Sequence, residues 1–361
     1  MSAAFVNLIT YPFRSKKCTA LYNDVLYAAV RSMCERMTIA QSRYLNALTS
    51  TSYANYCKSN FLPNNTETIE LPGSKDVQAH WIGSPNARHV ILYFHGGGYT
   101  QPANEGNFRY LPRLVADMNG EKEEDLSVLM LAYTLAPEAR YPTQLREAAA
   151  TLSFLINEAG RSPSNIILSG DSAGGNLALS LLSHVLHTHS DVPAIKLDQP
   201  LGGALLYSPW TSFSTDFPSF DKHYLLDVMS PLALRKWAAM FVDKSNPVDE
   251  ESDPGPVSGD AYTEACTNPA SWWEGLHGVV SDVFVAYGGD EVLADPIRLL
   301  EKALKEGWVG GGGDVGRVVF IEGFREAHVQ PVVDVIGPQS GVKSGTQRAI
   351  EEWYQAKTSS M

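Results

Sequence analysis

Basic residues are in deficit in this 361-residue chain: 28 Lys and Arg stand against 40 Asp and Glu, a formal net charge of −12. That balance argues against nucleic acid or an anionic membrane surface as the main partner. Cysteine is scarce too. The four present, Cys18, Cys34, Cys57 and Cys266, are widely spaced and include no C-x-x-C pair. Neither a zinc site nor a disulfide framework is expected, and free thiols fit a reducing compartment. No apolar run approaches ~18 residues, so no membrane span is expected. Met1 to Thr10 lacks the basic leader and long apolar stretch of a secretory signal. There is no internal repeat. A cytoplasmic protein is the expectation.

What is present is ample core material, with 44% hydrophobic and 19% charged residues, as in a soluble globular protein. The length suits one large α/β domain carrying insertions. Residues 1–60 read as helical: Leu21, Val25, Leu26, Ala29, Val30 and Met33 recur at three- and four-residue spacings, and a second such segment runs from Thr38 to Leu48. Phe5, Leu8, Ile9, Tyr11 and Phe13 form an apolar tip. These helices are expected to pack on the main fold; covering an active site or touching a membrane is the alternative.

Strand patterns begin at Thr66. Thr66–Leu71 and Val77–Ile82 flank a turn-rich linker and read as a hairpin. Apolar strands then alternate with helical stretches: His89–Phe94, Leu126–Tyr133, Ile166–Leu168, Gly203–Tyr207, Asp282–Tyr287 and Arg317–Ile321. Near-continuous apolar strands separated by helices predict a parallel sheet covered on both faces. Between Ser208 and about Gly278 the rhythm stops, and aromatics such as Trp210, Phe213, Trp237 and Trp273 stand among loop residues. That stretch reads as a helical insertion. The glycines of Trp308–Gly313 follow no strand and open no helix, so they predict a flexible loop and not a nucleotide site.

The chemistry centres on Gly170-Asp171-Ser172-Ala173-Gly174. A G-x-S-x-G turn between a buried strand and a helix is the context of a nucleophile elbow, which makes Ser172 the candidate nucleophile. A serine nucleophile needs a base, a group to orient that base, and donors for the oxyanion. His95-Gly96-Gly97-Gly98 follows directly on a strand, where glycines let backbone N–H groups turn toward a ligand. Together with the N–H of Ala173 they are the expected oxyanion hole.

The acid should follow the serine in sequence, and the histidine should follow the acid. Tyr287-Gly288-Gly289-Asp290-Glu291 puts an acid just past a strand end, where open α/β sheets assemble their sites. Asp290 lies closest to the strand and is the expected acid; Glu291 and Asp295 are rivals placed in the first turn of the next helix. Of nine histidines only His328 follows Asp290, so it is the expected base. His184, His187 and His189 sit near a helix C-terminus, where imidazoles are ordinary, and no metal is expected there.

The set His95-Gly96-Gly97-Gly98, Tyr133-x-x-Ala136-Pro137-Glu138, Gly170-Asp171-Ser172-Ala173-Gly174-Gly175 and Asp290-x-x-x-x-Asp295 resembles the hormone-sensitive-lipase-like branch of α/β-hydrolase serine esterases, with fungal or microbial members. The resemblance implies an α/β-hydrolase fold with an eight-stranded, mostly parallel sheet and a helical cap. It divides the chain into residues 1–60 as N-terminal helices of the cap, 61–207 as the first part of the catalytic core, 208–278 as the cap insertion and 279–361 as the second part of the core. It implies a cofactor-independent carboxylesterase acting on small-molecule esters of short to medium acyl chain, or of secondary metabolism. The triad would be Ser172, Asp290 and His328, with Gly96, Gly97 and Ala173 as oxyanion donors and structural roles for His95 and Glu138. The alternatives are an acyltransferase, lactonase or cyclase using the same triad, and a non-catalytic ligand receptor. One departure stands out. Where the family commonly has Asp-Pro-Leu, this chain has Asp290-Glu291-Val292-Leu293, one residue different in spacing.

Overall fold

The computed structural model describes residues 3–71, 73, 75–120, 125–243, 252–337 and 341–360. Eight strands form one sheet: β1 (Thr66–Ile69), β2 (Val77–Ile82), β3 (His89–Phe94), β4 (Leu126–Leu131), β5 (Ile166–Asp171), β6 (Gly203–Tyr207), β7 (Val283–Gly288) and β8 (Val318–Gly323). Their spatial order is β1-β2-β4-β3-β5-β6-β7-β8. The β1–β2 and β2–β4 pairs are antiparallel, and every later pair is parallel. Each residue of β3, β4, β5, β6 and β7 is buried. Runs such as His-Val-Ile-Leu-Tyr-Phe carry no polar alternation because both faces are covered, and each buried aliphatic side chain contributes about 1.5–3 kcal/mol.

Four helices precede the sheet: α1 (Ala3–Thr10), α2 (Leu21–Arg36), α3 (Ile39–Leu45) and α4 (Thr49–Ser59). The expected segment Thr38–Leu48 is thus a short helix, opened by a capping box between Thr38 and Gln41, and a further helix follows it. Within the sheet, α5 (Glu105–Asn119), α6 (Thr143–Asn157) and α7 (Ala173–Leu186) alternate with strands. Between β6 and β7 the insertion supplies α8 (Pro218–His223) and α9 (Pro231–Phe241), then only short 3-10 turns; residues 244–251 lie outside the described residues. The chain closes with α10 (Ala294–Gly310), α11 (Gln330–Asp334) and α12 (Gly345–Ser360). Trp308, Val309 and Gly310, expected in a loop, instead finish α10, where Trp308 is buried and its indole N–H donates to the Asp314 carbonyl at 2.9 Å. No helix of the described residues is long and apolar enough to cross a membrane.

The helices flanking the sheet ends hold the glycine loop after β3. Arg43 of α3 donates to the Thr100 carbonyl at 2.6 Å and the Ala136 carbonyl at 3.0 Å, and pairs with both carboxylate oxygens of Glu138. The Thr49 hydroxyl at the start of α4 accepts the Ala103 N–H at 3.1 Å and lies 3.1 Å from His95 Nε2. The Gly96 carbonyl, 2.7 Å from Nδ1, can only accept, so the ring proton sits on Nδ1 and Nε2 accepts the Thr49 hydroxyl proton. Burial pushes the His95 imidazole down to about 4, so it is neutral and structural, as the resemblance implies.

Candidate active site

Ser172 stands between β5 and α7 with φ 55 and ψ −116. A β-carbon rarely tolerates this region, so the turn is strained and needs rigid surroundings. Those surroundings are backbone: Ser172 N–H donates to the Tyr207 carbonyl at 2.9 Å, and the Ser172 carbonyl accepts from Trp210 and Asn176 at 3.0 Å each. Helix and strand approach so closely that a side chain at Gly174 would collide with the Phe94 carbonyl. The residue before the serine completes the elbow. Asp171 is buried and accepts the Tyr93 hydroxyl at 2.7 Å, the Gly96 N–H at 2.9 Å and the Asn107 amide at 3.3 Å. It thereby ties the glycine loop after β3 to the elbow after β5.

His328, in the loop after β8, is buried and places Nε2 2.9 Å from Ser172 Oγ. The elbow motif singled out Ser172 and chain order singled out His328, and the fold brings them together.

The acid differs from the expectation. Asp290 does not face His328: its carboxylate is 23% exposed and lies 3.7 Å from His223 Nδ1 and 4.0 Å from Arg325 Nε. Glu291 does, fully buried, with Oε1 3.6 Å from His328 Nδ1. Those two atoms are buried and have no other partner among the described residues, so each faces the other. The reason lies in the turn after β7. Gly289 N–H donates to the Gly323 carbonyl at 2.8 Å and Asp290 N–H to the Glu326 carbonyl at 2.9 Å, carrying the β8 register past the strand end. Asp290 then points outward. The Glu291 carboxylate folds back, with Oε2 accepting the Gly288 N–H at 2.7 Å and the Ser208 hydroxyl at 2.6 Å. Glu291 precedes α10 instead of lying in its first turn, whereas Asp295 does lie there and pairs with Arg298 at 2.7 Å. The departure noted in the sequence disappears once Glu291 is aligned with the family's acid, because Glu291-Val292-Leu293 is then in register with Asp-Pro-Leu.

Burial pulls the His328 imidazole toward the neutral form, but Glu291, Asp227 and Asp171 outweigh it and hold its pKa above the ordinary value. Asp227 is a buried carboxylate from the insertion that sequence reasoning missed; nothing in local spacing marks a residue whose partners lie 65 and 101 positions away.

The glycine loop needs a correction as well. Gly96 N–H is committed to Asp171 and is not free for a ligand. The N–H groups of Gly97, Gly98 and Ala173 have no acceptor among the described residues. Gly97 and Gly98 have φ of +106 and +57, and a side chain on Gly98 would collide with the Trp237 ring of α9. The insertion therefore lies directly against the glycine loop. The histidines near the end of α7 are used locally: His184 Nε2 lies 2.9 Å from the Pro193 carbonyl and His187 Nε2 2.8 Å from the Trp272 carbonyl.

A serine polarised by a histidine, a buried carboxylate behind the histidine, and unpaired N–H groups beside the serine form the arrangement that nucleophilic acyl chemistry requires. The chain is similar to known proteins. It is 24% identical over 259 residues to steryl acetyl hydrolase 1 of Saccharomyces cerevisiae, covering 69% of this chain and 56% of that protein. It is 27% identical over 220 residues to an acetyl-hydrolase of Streptomyces hygroscopicus, covering 60% and 62%. The match thus spans little more than half the length of these relatives. Among solved structures, an esterase of the bacterial hormone-sensitive lipase family superposes with a TM-score of 0.65 at 24% identity, over 94% of this chain and 99% of that one. A family model for the alpha/beta hydrolase fold matches residues 91–312. The match takes in well over half of the chain, which belongs to the α/β-hydrolase-fold family.

Proposed function

We propose that the protein is a serine carboxylesterase in which Ser172, His328 and Glu291 are the triad and Gly97, Gly98 and Ala173 supply the oxyanion donors. One observation carries the reading: His328 Nε2 lies 2.9 Å from Ser172 Oγ while its Nδ1 faces the buried Glu291. The 3.6 Å gap on the Nδ1 side is the loose spacing that tightens when substrate binds and charge develops.

His328 Nε2 takes the Ser172 proton as Oγ attacks the ester carbonyl. The carbonyl electron pair moves to an oxyanion held by the three backbone N–H groups. Collapse breaks the bond to the alcohol oxygen, which leaves with the proton from His328 and leaves an acyl group on Ser172. Water, deprotonated by the same imidazole, then releases the acid. Glu291 keeps the proton on Nδ1 and stabilises the imidazolium, while Ser208 and Gly288 hold its other oxygen in place.

The acyl group is proposed to be short, acetyl foremost. The relatives are named acetyl hydrolases, and the Trp237 ring limits the space beside the glycine loop. Helices before residue 60 and the insertion at 208–278 are proposed to form one cap, since Arg31 of α2 donates to the Asp227 carbonyl at 2.5 Å. A cytoplasmic location is proposed on the four free cysteines. The test is hydrolysis of p-nitrophenyl acetate, butyrate and longer esters by the wild type and Ser172→Ala. The reading requires falling kcat/KM with acyl length and no turnover by the variant; full turnover by Ser172→Ala would sink it.

A further inference from the structure

We infer that Asp227, carried by the insertion and not by the sheet, is a positioning residue that pins the acid turn and the histidine loop together and so makes the triad depend on cap docking. The inference rests on the triad reading above. Asp227 is fully buried and accepts three backbone N–H groups. Oδ1 takes those of His328 at 3.0 Å and Val228 at 2.7 Å; Oδ2 takes that of Val292 at 2.8 Å. Val292 directly follows the acid, and His328 is the base itself. One carboxylate thus fixes the backbone at the base and directly after the acid, and a buried carboxylate so placed cannot be removed without leaving its donors unpaired.

The N-terminal helices hold Asp227 from the other side. Arg31, itself buried, donates to the Asp227 carbonyl at 2.5 Å and lies with its guanidinium 4.7 Å from the Tyr224 ring centre. The Cys18 thiol lies 3.7 Å from the Leu226 carbonyl. A chain of contacts therefore runs from α2 through residues 224–227 to both catalytic loops.

Asp227 also has an electrostatic consequence. The titratable groups facing it are His328 and Glu291 on the catalytic side and Cys18, Tyr27 and Arg31 on the N-terminal side. His328 in turn faces Glu291, Asp227 and Asp171. Burial raises the Asp227 carboxyl to about 6, with His328 opposing the rise and Glu291 adding to it. Ionised above that pH, it adds a second negative charge beside the imidazolium that forms when Ser172 attacks.

Asp227→Asn tests this. An amide has one accepting and one donating arm, so at least one of the three N–H groups loses its acceptor. With active sites counted by fluorophosphonate labelling, kcat per site on p-nitrophenyl acetate should fall on the order of 10- to 100-fold, the cost of a displaced catalytic group, with KM nearly unchanged. The acid limb of kcat/KM should move to lower pH, because the imidazolium has lost a neighbouring charge. A purely structural role would lower Tm and the labelled fraction and leave that limb in place. Arg31→Gln leaves the carboxylate intact and loosens its tether, and should lower kcat several-fold with the limb unmoved. A folded Asp227→Asn protein with wild-type kcat and acid limb overturns the inference; if that variant does not fold, unchanged kcat in Arg31→Gln does. Should Ser172→Ala be inactive while both variants match wild type, only this inference fails; an active Ser172→Ala removes the triad reading as well.

Discussion

Replacing Glu291 by Gln, beside Asp290→Asn as its partner experiment, separates two adjacent carboxyl groups. In the folded protein Glu291 Oε2 accepts from Gly288 N–H and from the Ser208 hydroxyl, at 2.7 and 2.6 Å. A glutamine must therefore place its carbonyl oxygen there, since its NH2 would meet the Gly288 donor. The NH2 is left facing His328 Nδ1. The imidazole responds by presenting a lone pair at Nδ1 and its proton at Nε2, so the nitrogen 2.9 Å from Ser172 Oγ can no longer accept the serine proton. An amide in place of the triad acid costs about 10⁴-fold in kcat through this wrong tautomer, or about 5.5 kcal/mol of transition-state stabilisation. Among the described residues the Asp290 carboxylate lies 3.7 Å from His223 and 4.0 Å from Arg325 and does not face His328, so Asp290→Asn should stay within about threefold of wild type, as loose contacts of this kind contribute little. Steady-state hydrolysis of p-nitrophenyl acetate, normalised to folded protein by circular dichroism, reads both. A 10⁴-fold loss in Asp290→Asn with near-normal Glu291→Gln would refute the geometric assignment.

Other consequences follow from the same geometry. Because His328 is held above the ordinary imidazole value by its carboxylate neighbours, and only neutral imidazole accepts the serine proton, kcat/KM should fall as pH drops through a midpoint above about 6.5; a midpoint well below 6 would contradict this. Ser172→Ala and His328→Ala should each lower kcat on the order of 10⁶-fold, measured at equal labelled-site or protein concentration. Gly98→Ala puts a side chain at φ +57 into the Trp237 ring and should displace an oxyanion donor, at a cost of about 10²- to 10³-fold in kcat; an unchanged rate would remove Gly98 from the hole. Gly174→Ala collides with the Phe94 carbonyl and should lower unfolding stability by about 2–3 kcal/mol in urea titration, where a neutral effect would show that the elbow can relax.

The sheet was largely readable before the structure because its signal is local. Val77–Ile82, His89–Phe94 and Gly203–Tyr207 are strands over the expected ranges, each a wholly or largely buried run bounded by turn residues. Ser172 and His328 were legible for a different reason: the elbow has a steric signature, and chain order left one histidine. The carboxylate that faces His328 stands one position past the expected Asp290, since strand periodicity does not say which way side chains point in the turn after β7. The register of Glu291-Val292-Leu293 against Asp-Pro-Leu was the available clue. The resemblance implies Gly96 and Gly97 as donors, and only the Asp171 carboxylate, brought in from β5, sets Gly96 apart from the glycines that follow it. Asp227 left no trace at all. It lies where no strand or helix pattern is strong, and its importance comes from two loops that only the folded chain brings to it. The likeness to hormone-sensitive-lipase-type esterases read from the motifs agrees with the matched fold.

The account turns on a covalent intermediate at Ser172, and intact-mass analysis of acid-quenched protein after brief exposure to p-nitrophenyl esters tests it most directly. One acyl group per chain, localised by peptide mapping to the elbow peptide and absent from Ser172→Ala, is the expected result. Steady ester turnover by the wild type with no acyl adduct, or an adduct that persists in Ser172→Ala, would contradict it.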